Sequence, residues 1–207
     1  MLGATFGGPL EGIGVSLAHE MDPVIAGRMI LVGKILVTAG VACQLTFIRL
    51  VFRPEGNHGK LAVGGLLAVL AVAFVGFGLH GTYRGEGIAP GWFALEFSAR
   101  VAGSLWLAVE AFSYYGLMKR RIQLGMADPV VANRFRLWGL AGCFVVLIQC
   151  TSVPPLFLDP VKDVAPLGID LVAFSLCGVI VSVLYWLTFF PPEGYQRAVR
   201  ARAEAGA

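Results

Sequence analysis

Five long apolar stretches, separated by short segments rich in glycine, proline and charge, dominate the sequence. They cover approximately residues 24–52, 61–80, 92–118, 135–156 and 166–190. Each of them reaches the roughly 20 apolar residues that a helix needs to cross a bilayer. Helix-breaking residues follow the first stretch (Pro54 and Gly56) and the last (Pro191 and Pro192). The pattern predicts an all-α, polytopic transmembrane helix bundle of about five spans over residues 23–192.

The two ends of the chain have a different character. Residues 1–22 are apolar but interrupted by glycine and acidic residues, and we expect an extracytoplasmic N-terminal segment that does not span. Residues 193–207 are rich in alanine and arginine, which predicts a cytoplasmic tail containing a short solvated helix. Asp128 followed by Pro129 is typical of a helix N-cap and first-turn proline. The fourth helix should therefore begin there, before it enters the membrane.

Composition supports the membrane prediction and excludes a nucleic-acid partner. Hydrophobic residues make up 57% of the chain and charged residues only 14%, whereas a soluble domain carries about 25% charged residues. So few charges could not cover the surface of a soluble protein, but helices that face the lipid bilayer need none. The net charge of +3 is small and forms no basic stripe, so nucleic-acid binding is not indicated.

The distribution of Lys and Arg predicts the orientation. Eleven basic residues fall on one side of the predicted bundle, at the end of the first helix and in the loop after it, in the third loop and in the tail, and only Arg84 and Lys162 fall on the other. Because basic loops stay in the cytoplasm, the N-terminus should lie outside and the C-terminus inside. This topology favours a multi-pass membrane protein.

Several ionisable residues interrupt the predicted spans: Arg28, Lys34, Glu96, Arg100, Glu110 and Asp170. One such group near the bilayer centre costs roughly 2.5–3.5 kcal/mol on insertion scales. The third helix carries three of them, so it would insert poorly if lipid surrounded it, and we expect it in the bundle interior. Glu96 and Arg100 are i,i+4 neighbours that can pair on one helix face. The second helix has no ionisable residue from Leu61 to Leu79, which predicts a lipid-facing wall.

Their depths suggest one polar pocket in the outer half of the bundle. At 1.5 Å per residue, Glu96, Arg100, Arg28 and Lys34 fall in the outer half, and His80 and Asp170 near outer helix ends. We interpret these six residues as a candidate ligand-binding set, with Glu96 and Arg100 as its centre. Two other interpretations stay open: charges that neutralise one another to hold the bundle together, and snorkelling of Arg28 and Lys34 to the surface.

The sequence contains no pattern that fixes an enzymatic activity. There is no HExxH, CxxC, GxSxG or Walker loop, and only His80 lies near a span, so neither a metal site nor a haem is predicted. We therefore expect no cofactor and favour a non-enzymatic module that senses a ligand or serves as a subunit of a larger membrane complex. The alternative is a small transporter or proton-coupled permease, in which Glu110 would be the protonatable group along the path.

Two segments resemble parts of uncharacterised bacterial polytopic membrane proteins. The first is Lys119-Arg120-Arg121 with the following residues 127–139, and the second is the late run Trp186-Leu187-Thr188-Phe189-Phe190-Pro191-Pro192. Similar membrane regions also precede signalling domains of the histidine-kinase type. The resemblance covers roughly residues 92–200 and implies a multi-helix module with a sensory or scaffold role, without transferring any catalytic residue. It also implies a location in the bacterial inner (cytoplasmic) membrane. No kinase or cyclase domain follows Pro192, so signalling output would come from other membrane subunits or a cytoplasmic signalling partner.

Overall fold

The computed structural model of the protein describes residues 22–86, 89–151 and 167–205, and these ranges contain helices and turns but no strand. The all-α prediction is confirmed for them. The predicted N-terminal segment, apart from Asp22, and the loop between the fourth and fifth stretches lie outside the described residues. A helix occurs at each of the five predicted positions and a further one follows in the tail: α1 (Pro23–Phe52), α2 (Asn57–Leu79), α3 (Pro90–Gln123), α4 (Pro129–Thr151), α5 (Leu167–Phe189) and α6 (Glu193–Ala205).

Three of these helices are long and apolar enough to cross a membrane by themselves: α1, α2 and the Pro129–Cys150 part of α4. A fourth candidate is the bent pair of Ser175–Phe189 and Glu193–Ala205, whose two parts meet at 81°. The chain is therefore a helical protein with three to four candidate spans among the described residues. Helix α3 does not reach the same apolarity, and Glu96, Arg100 and Glu110 explain why.

Helix α1 begins at a proline in its first turn, where Asp22 caps it by accepting a hydrogen bond from the Val24 backbone N–H at 2.8 Å. Its buried residues recur every three or four positions and so form one face; they include Ala26, Ile30, Lys34, Val37, Val41, Leu45, Ile48 and Phe52. The chain forms two compact units, of which the first extends to Gly103. The buried face of α1 lies in the core of this first unit.

A short 3-10 turn, Thr82–Arg84, follows α2 and packs against α1. Gly81 and Gly85 flank it with φ of 86°, a left-handed conformation that glycine adopts without a steric penalty. Gly27 of α1 admits the turn, because a side chain at that position would collide with the backbone of Tyr83 and lie 2.9 Å from the Gly85 nitrogen. The Tyr83 hydroxyl donates to the Phe74 carbonyl at 2.9 Å and ties the turn to α2.

The second compact unit runs from Ser104 to the C-terminus. Within it α3 ends in a Schellman motif, in which Met126 N donates to Arg121 O at 2.9 Å and Gly125 adopts a φ of 68°. Asp128 then accepts a hydrogen bond from Val130 N at 2.9 Å, so its predicted role as the N-cap of α4 is confirmed. Helix α4 packs extensively along α5 and also contacts α6.

Beyond its first turn, helix α2 presents a broad apolar surface, as the lack of ionisable residues from Leu61 to Leu79 predicts. Leu61, Val72, Val75 and Leu79 are exposed, whereas Leu70, Ala73, Gly76 and Phe77 form its buried face. Large exposed apolar surface of this kind is tolerated against lipid and avoided by soluble monomers. The exposed face of α2 therefore matches a helix that borders the bilayer.

Candidate functional site

A buried ion pair is the main polar feature of the first unit. Lys34 lies on the buried face of α1 with only 1% of its side chain exposed, and Glu96 lies on α3 with 4% exposed. The Lys34 Nζ atom donates directly to Glu96 Oε2. Two helices distant in sequence thus supply one cation and one carboxylate to the same apolar interior, where each charge is tolerable only because the other is present.

Aromatic rings complete the surroundings of Lys34. Its Nζ atom lies 4.2 Å from the centre of the Phe77 ring on α2 and 5.7 Å from that of Phe93 on α3. A cation over an aromatic face is attracted by the negative charge of the ring surface, and more strongly so away from water. Three helices of the unit therefore hold this ammonium group: α1 carries it, α3 supplies the carboxylate and a ring, and α2 supplies the nearer ring.

Arg100 contacts the other oxygen of the same carboxylate. Its Nη1 atom lies 3.9 Å from Glu96 Oε1, one helical turn away, which confirms the i,i+4 pairing expected from the sequence. That distance allows an ion pair but is too long for a hydrogen bond. Glu96 Oε1 is buried and accepts no hydrogen bond from any described residue. Arg100 itself keeps 17% of its side chain exposed, so it is the accessible member of the cluster.

The cluster of Lys34, Glu96 and Arg100 contains half of the six residues predicted to line a pocket. Arg28 and His80 are exposed at the surface of the protein, and the structure does not bury them with the ion pair. Their exposure agrees with the snorkelling interpretation of Arg28 and with His80 as a polar helix end. The side chain of Asp170 lies outside the described part of the structure. What the structure brings together is therefore a compact three-residue cluster rather than a six-residue lining.

Glu110 belongs to the second unit and has its own surroundings. It is buried, and the Trp106 indole Nε1 atom, four residues earlier on α3, donates to its Oε1 atom at 3.1 Å. In the same unit, Gln149 Nε2 of α4 donates to the hydroxyl of Ser104 on α3 at 3.1 Å, which leaves Gln149 Oε1 buried without a hydrogen-bond partner among the described residues.

Sequence reasoning missed the aromatic and hydroxyl members of these sites. Phe77, Phe93 and Ser104 were overlooked because such residues are common in apolar helices and carry no distinctive spacing. Trp106 could have been found, since it lies four residues before Glu110 and therefore on the same helix face. Lys34 was among the six predicted residues, and its burial could have been predicted too, because it lies on the apolar stripe of α1 between Ile30 and Val37.

The comparisons with known proteins add no further assignment. No protein-family model matches the chain, and no curated protein or solved structure resembles it closely enough to count as a match. Within residues 22–86, 89–151 and 167–205 there is also no group of three or more His, Cys, Asp or Glu side chains that could hold a metal ion. Any functional proposal must therefore be based on the charged cluster and on the helical architecture.

Proposed function

We propose that the protein is a non-enzymatic integral membrane module that senses or binds a small polar ligand at Glu96 and Arg100. One observation carries the proposal: the buried Glu96 Oε1 atom accepts no hydrogen bond from the described residues, and Arg100, whose side chain is 17% exposed, lies beside it. A buried carboxylate oxygen gains substantially from a hydrogen-bond donor. A ligand that brings both a donor and a negative group would donate to Glu96 Oε1 and approach Arg100 at the same time.

Lys34 has a supporting role in this proposal. It is too deeply buried for a ligand to touch without rearrangement, and its bond to Glu96 Oε2 fixes the carboxylate between α1 and α3. Arg100 places a cation at the more accessible edge of the cluster. That position favours a ligand whose exposed end is negative, such as a carboxylate, over a purely cationic one.

Ligand-induced stabilisation tests this proposal. The purified full-length protein would be heated in detergent with one of three probes. Glycine presents both a donor and an anionic group, acetate only the anion and methylammonium only the donor. We expect glycine to raise the unfolding midpoint most, because a ligand that binds only the folded state stabilises it by mass action. The rise should disappear in Arg100→Gln and remain in Arg28→Gln, a control that removes an exposed cation of the same unit.

Two results would contradict the proposal. One is that none of the three probes raises the unfolding midpoint, up to the highest probe concentration at which the protein stays soluble. The other is an equal response of wild type and Arg100→Gln, which would place the binding elsewhere. In either case the cluster would have only its structural role, or the chain would serve as a subunit whose partner acts on it.

The proposal includes a membrane topology of five spans, α1 to α5, with the N-terminus outside. It is supported by eleven basic residues against two on the opposite side, and by α3, whose carboxylates Glu96 and Glu110 are buried within the protein. The burial of those charges removes the main obstacle to α3 as a span. Fusion of an alkaline phosphatase to the C-terminus should give an inactive enzyme, whereas a fluorescent protein there should fold and fluoresce. An active phosphatase would reverse the topology.

A proton-coupled transporter is the second candidate, because Glu110 is a buried carboxylate held by Trp106 and Gln149 keeps an unsatisfied oxygen in the same unit. Buried carboxylates of this kind serve proton relays in transporters. Proteoliposomes loaded with a pH-sensitive dye should then show a proton flux that is lost in Glu110→Gln and retained in Glu55→Gln. Flux that does not depend on Glu110 would reject this candidate.

A further inference from the structure

One end of the second unit is strongly basic. The C-terminal end of α3, the first turns of α4 and helix α6 contain eight basic residues against three acidic ones. All eight basic side chains are exposed: Lys119, Arg120 and Arg121 on α3, Arg134 and Arg136 on α4, and Arg197, Arg200 and Arg202 on α6. We call this set the basic end. The net positive charge of the basic end is therefore larger than the net charge of +3 of the whole chain.

Contacts within the unit fix α6 to the basic end. Asn133 Nδ2 of α4 donates to the Tyr195 hydroxyl at 2.7 Å, and Arg200 lies 3.7 Å from the Asp128 carboxylate that caps α4. Tyr195, Val199 and Ala203 are partly buried and recur every four residues, so they form the face of α6 that meets the protein. Arg197 lies on the opposite, exposed face, and Arg200 remains exposed although it contacts Asp128. The basic residues are thus presented outward by an ordered helix rather than by a free tail.

The direction of α6 places that face beside a membrane surface. Phe190, Pro191 and Pro192 separate it from α5, and the two helices meet at 81°. If α5 crosses the bilayer with the modest tilt usual for spanning helices, α6 runs nearly parallel to the membrane plane. Its arginines and those at the ends of α3 and α4 then lie at the depth of the lipid headgroups, where long basic side chains are favourable.

We infer that the basic end is a binding surface for anionic phospholipid headgroups. The complementary chemistry is a negatively charged phosphodiester, to which arginine offers several N–H donors in a planar arrangement. Clusters of four to eight Lys or Arg next to a spanning helix attract anionic lipids, each residue adding to the affinity while it lies within a Debye length of the surface. The inference rests on the membrane embedding of α4 and α5, but not on ligand binding at Glu96 and Arg100.

Lipid competition tests the inference on the full-length protein. After delipidation in detergent, the protein would be mixed with equal amounts of phosphatidylglycerol and phosphatidylcholine, and the retained lipids counted by native mass spectrometry. We expect a preference for phosphatidylglycerol that weakens as salt is added. The preference should fall by about tenfold in Arg197→Gln/Arg200→Gln and in Arg120→Gln/Arg121→Gln, and stay unchanged in Lys60→Gln/Arg84→Gln, which removes two exposed charges from the first unit.

The use of two variants on different helices keeps the outcome decisive. If the α6 variant fails to fold, the Arg120→Gln/Arg121→Gln variant still decides the question. Equal retention of the two lipids, or a loss of preference that is as large in Lys60→Gln/Arg84→Gln, would overturn the inference. Polyglutamate binding to the protein without any lipid preference would also overturn it and indicate an acidic protein partner. Stabilisation by glycine should be intact in the basic-end variants, which separates this test from that of the proposed function.

Discussion

The two compact units bury polar groups of different kinds, and the difference shows where the fold is most sensitive. In the first unit, full charges meet across helices, with Lys34 of α1 bonded to Glu96 of α3. In the second, the buried contact between α3 and α4 is neutral and joins the amide of Gln149 to the hydroxyl of Ser104, whereas the ion pair of Arg200 with Asp128 is exposed. The buried carboxylate of Glu110 accepts a hydrogen bond from an indole on its own helix. One unit thus depends on a charge pair and the other on an ordinary hydrogen bond.

The physical consequence is an asymmetry in what a single substitution leaves behind. Loss of one partner of a buried ion pair strands a charge in a region of low dielectric, whereas loss of one neutral partner strands only a dipole. The charge pair also favours the faces of α1 and α3 that bring Lys34 and Glu96 together, since either group buried alone would be an unpaired charge. We therefore expect the helix pairing of the first unit to be more strictly defined than that of the second, and its stability to fall further when one buried polar partner is replaced.

Lys34→Met should give the largest effect. It keeps much of the side-chain volume but leaves Glu96 buried without its ammonium partner, and we expect a loss of about 3–5 kcal/mol in the free energy of unfolding. Denaturation by sodium dodecyl sulfate in mixed micelles would measure it. The exposed Lys60→Met is the matched control and should change stability by about 0.5 kcal/mol or less. Similar values for the two variants would remove the distinction between the units.

Ser104→Ala should have an intermediate effect in the second unit. It removes the acceptor of the Gln149 amide, whose other end is already unsatisfied, and we expect a loss of about 1–3 kcal/mol. The double variant with Gln149→Leu should lose less, because both polar groups are gone. Ser98→Ala is the control, since that exposed hydroxyl bonds only to the Ala94 carbonyl of its own helix, at 2.7 Å. A loss for Ser104→Ala that equals the loss for Lys34→Met would break the comparison.

Glycine substitutions probe the packing of the same two units. Gly27→Ala would press a methyl group into the backbone of the turn at Tyr83, which cannot move alone, and we expect a loss of about 1–3 kcal/mol. Gly139→Ala would meet the Phe112 ring, which is 38% exposed and can rotate away, so its loss should be smaller. Gly64→Ala has open space around it and should stabilise α2 by about 0.5–1 kcal/mol. The same denaturation series would rank the three, and the reverse order for Gly27 and Gly139 would argue against a rigid turn.

Asp128→Ala should give a small loss, about 1 kcal/mol, because it removes the side-chain cap of α4. Arg200→Gln removes only the exposed pairing with the same carboxylate and should cost about 0.5 kcal/mol or less. Helical content by circular dichroism and the unfolding midpoint would separate the two contributions. An equal loss in both variants would mean that the ion pair, not the cap, accounts for the effect of Asp128.

The helical architecture could be predicted because its signals are local. Apolar runs of about 20 residues, the Asp128-Pro129 start of α4 and the proline pair after α5 all identify helices without any knowledge of their partners. The helix starts were less accurate, as α2 begins at Asn57 and not near Leu61. The first turn of α2 is polar, and the prediction was based on apolar residues alone. It therefore identified where the apolar part of the helix begins and not where the helix itself begins.

The site could be predicted only in part because its decisive contacts join distant segments. The i,i+4 relation of Glu96 and Arg100 follows from helix geometry, and the structure confirms it. The stronger partner of Glu96 is Lys34, 62 residues away, and the charges alone allowed several pairings. Depth in the membrane grouped Arg28 and His80 with them, but depth says nothing about the helix face, and both side chains are exposed.

A double-mutant cycle on Lys34 and Glu96 tests the central claim most directly. Stability in mixed micelles would be measured for the wild type, Lys34→Met, Glu96→Gln and the double variant. Our account predicts that each single change is severe and that the double variant is much less damaged than their sum, with a coupling free energy of about 2 kcal/mol or more. Losses that add to within about 0.5 kcal/mol would contradict the claim that these two charges are buried against each other.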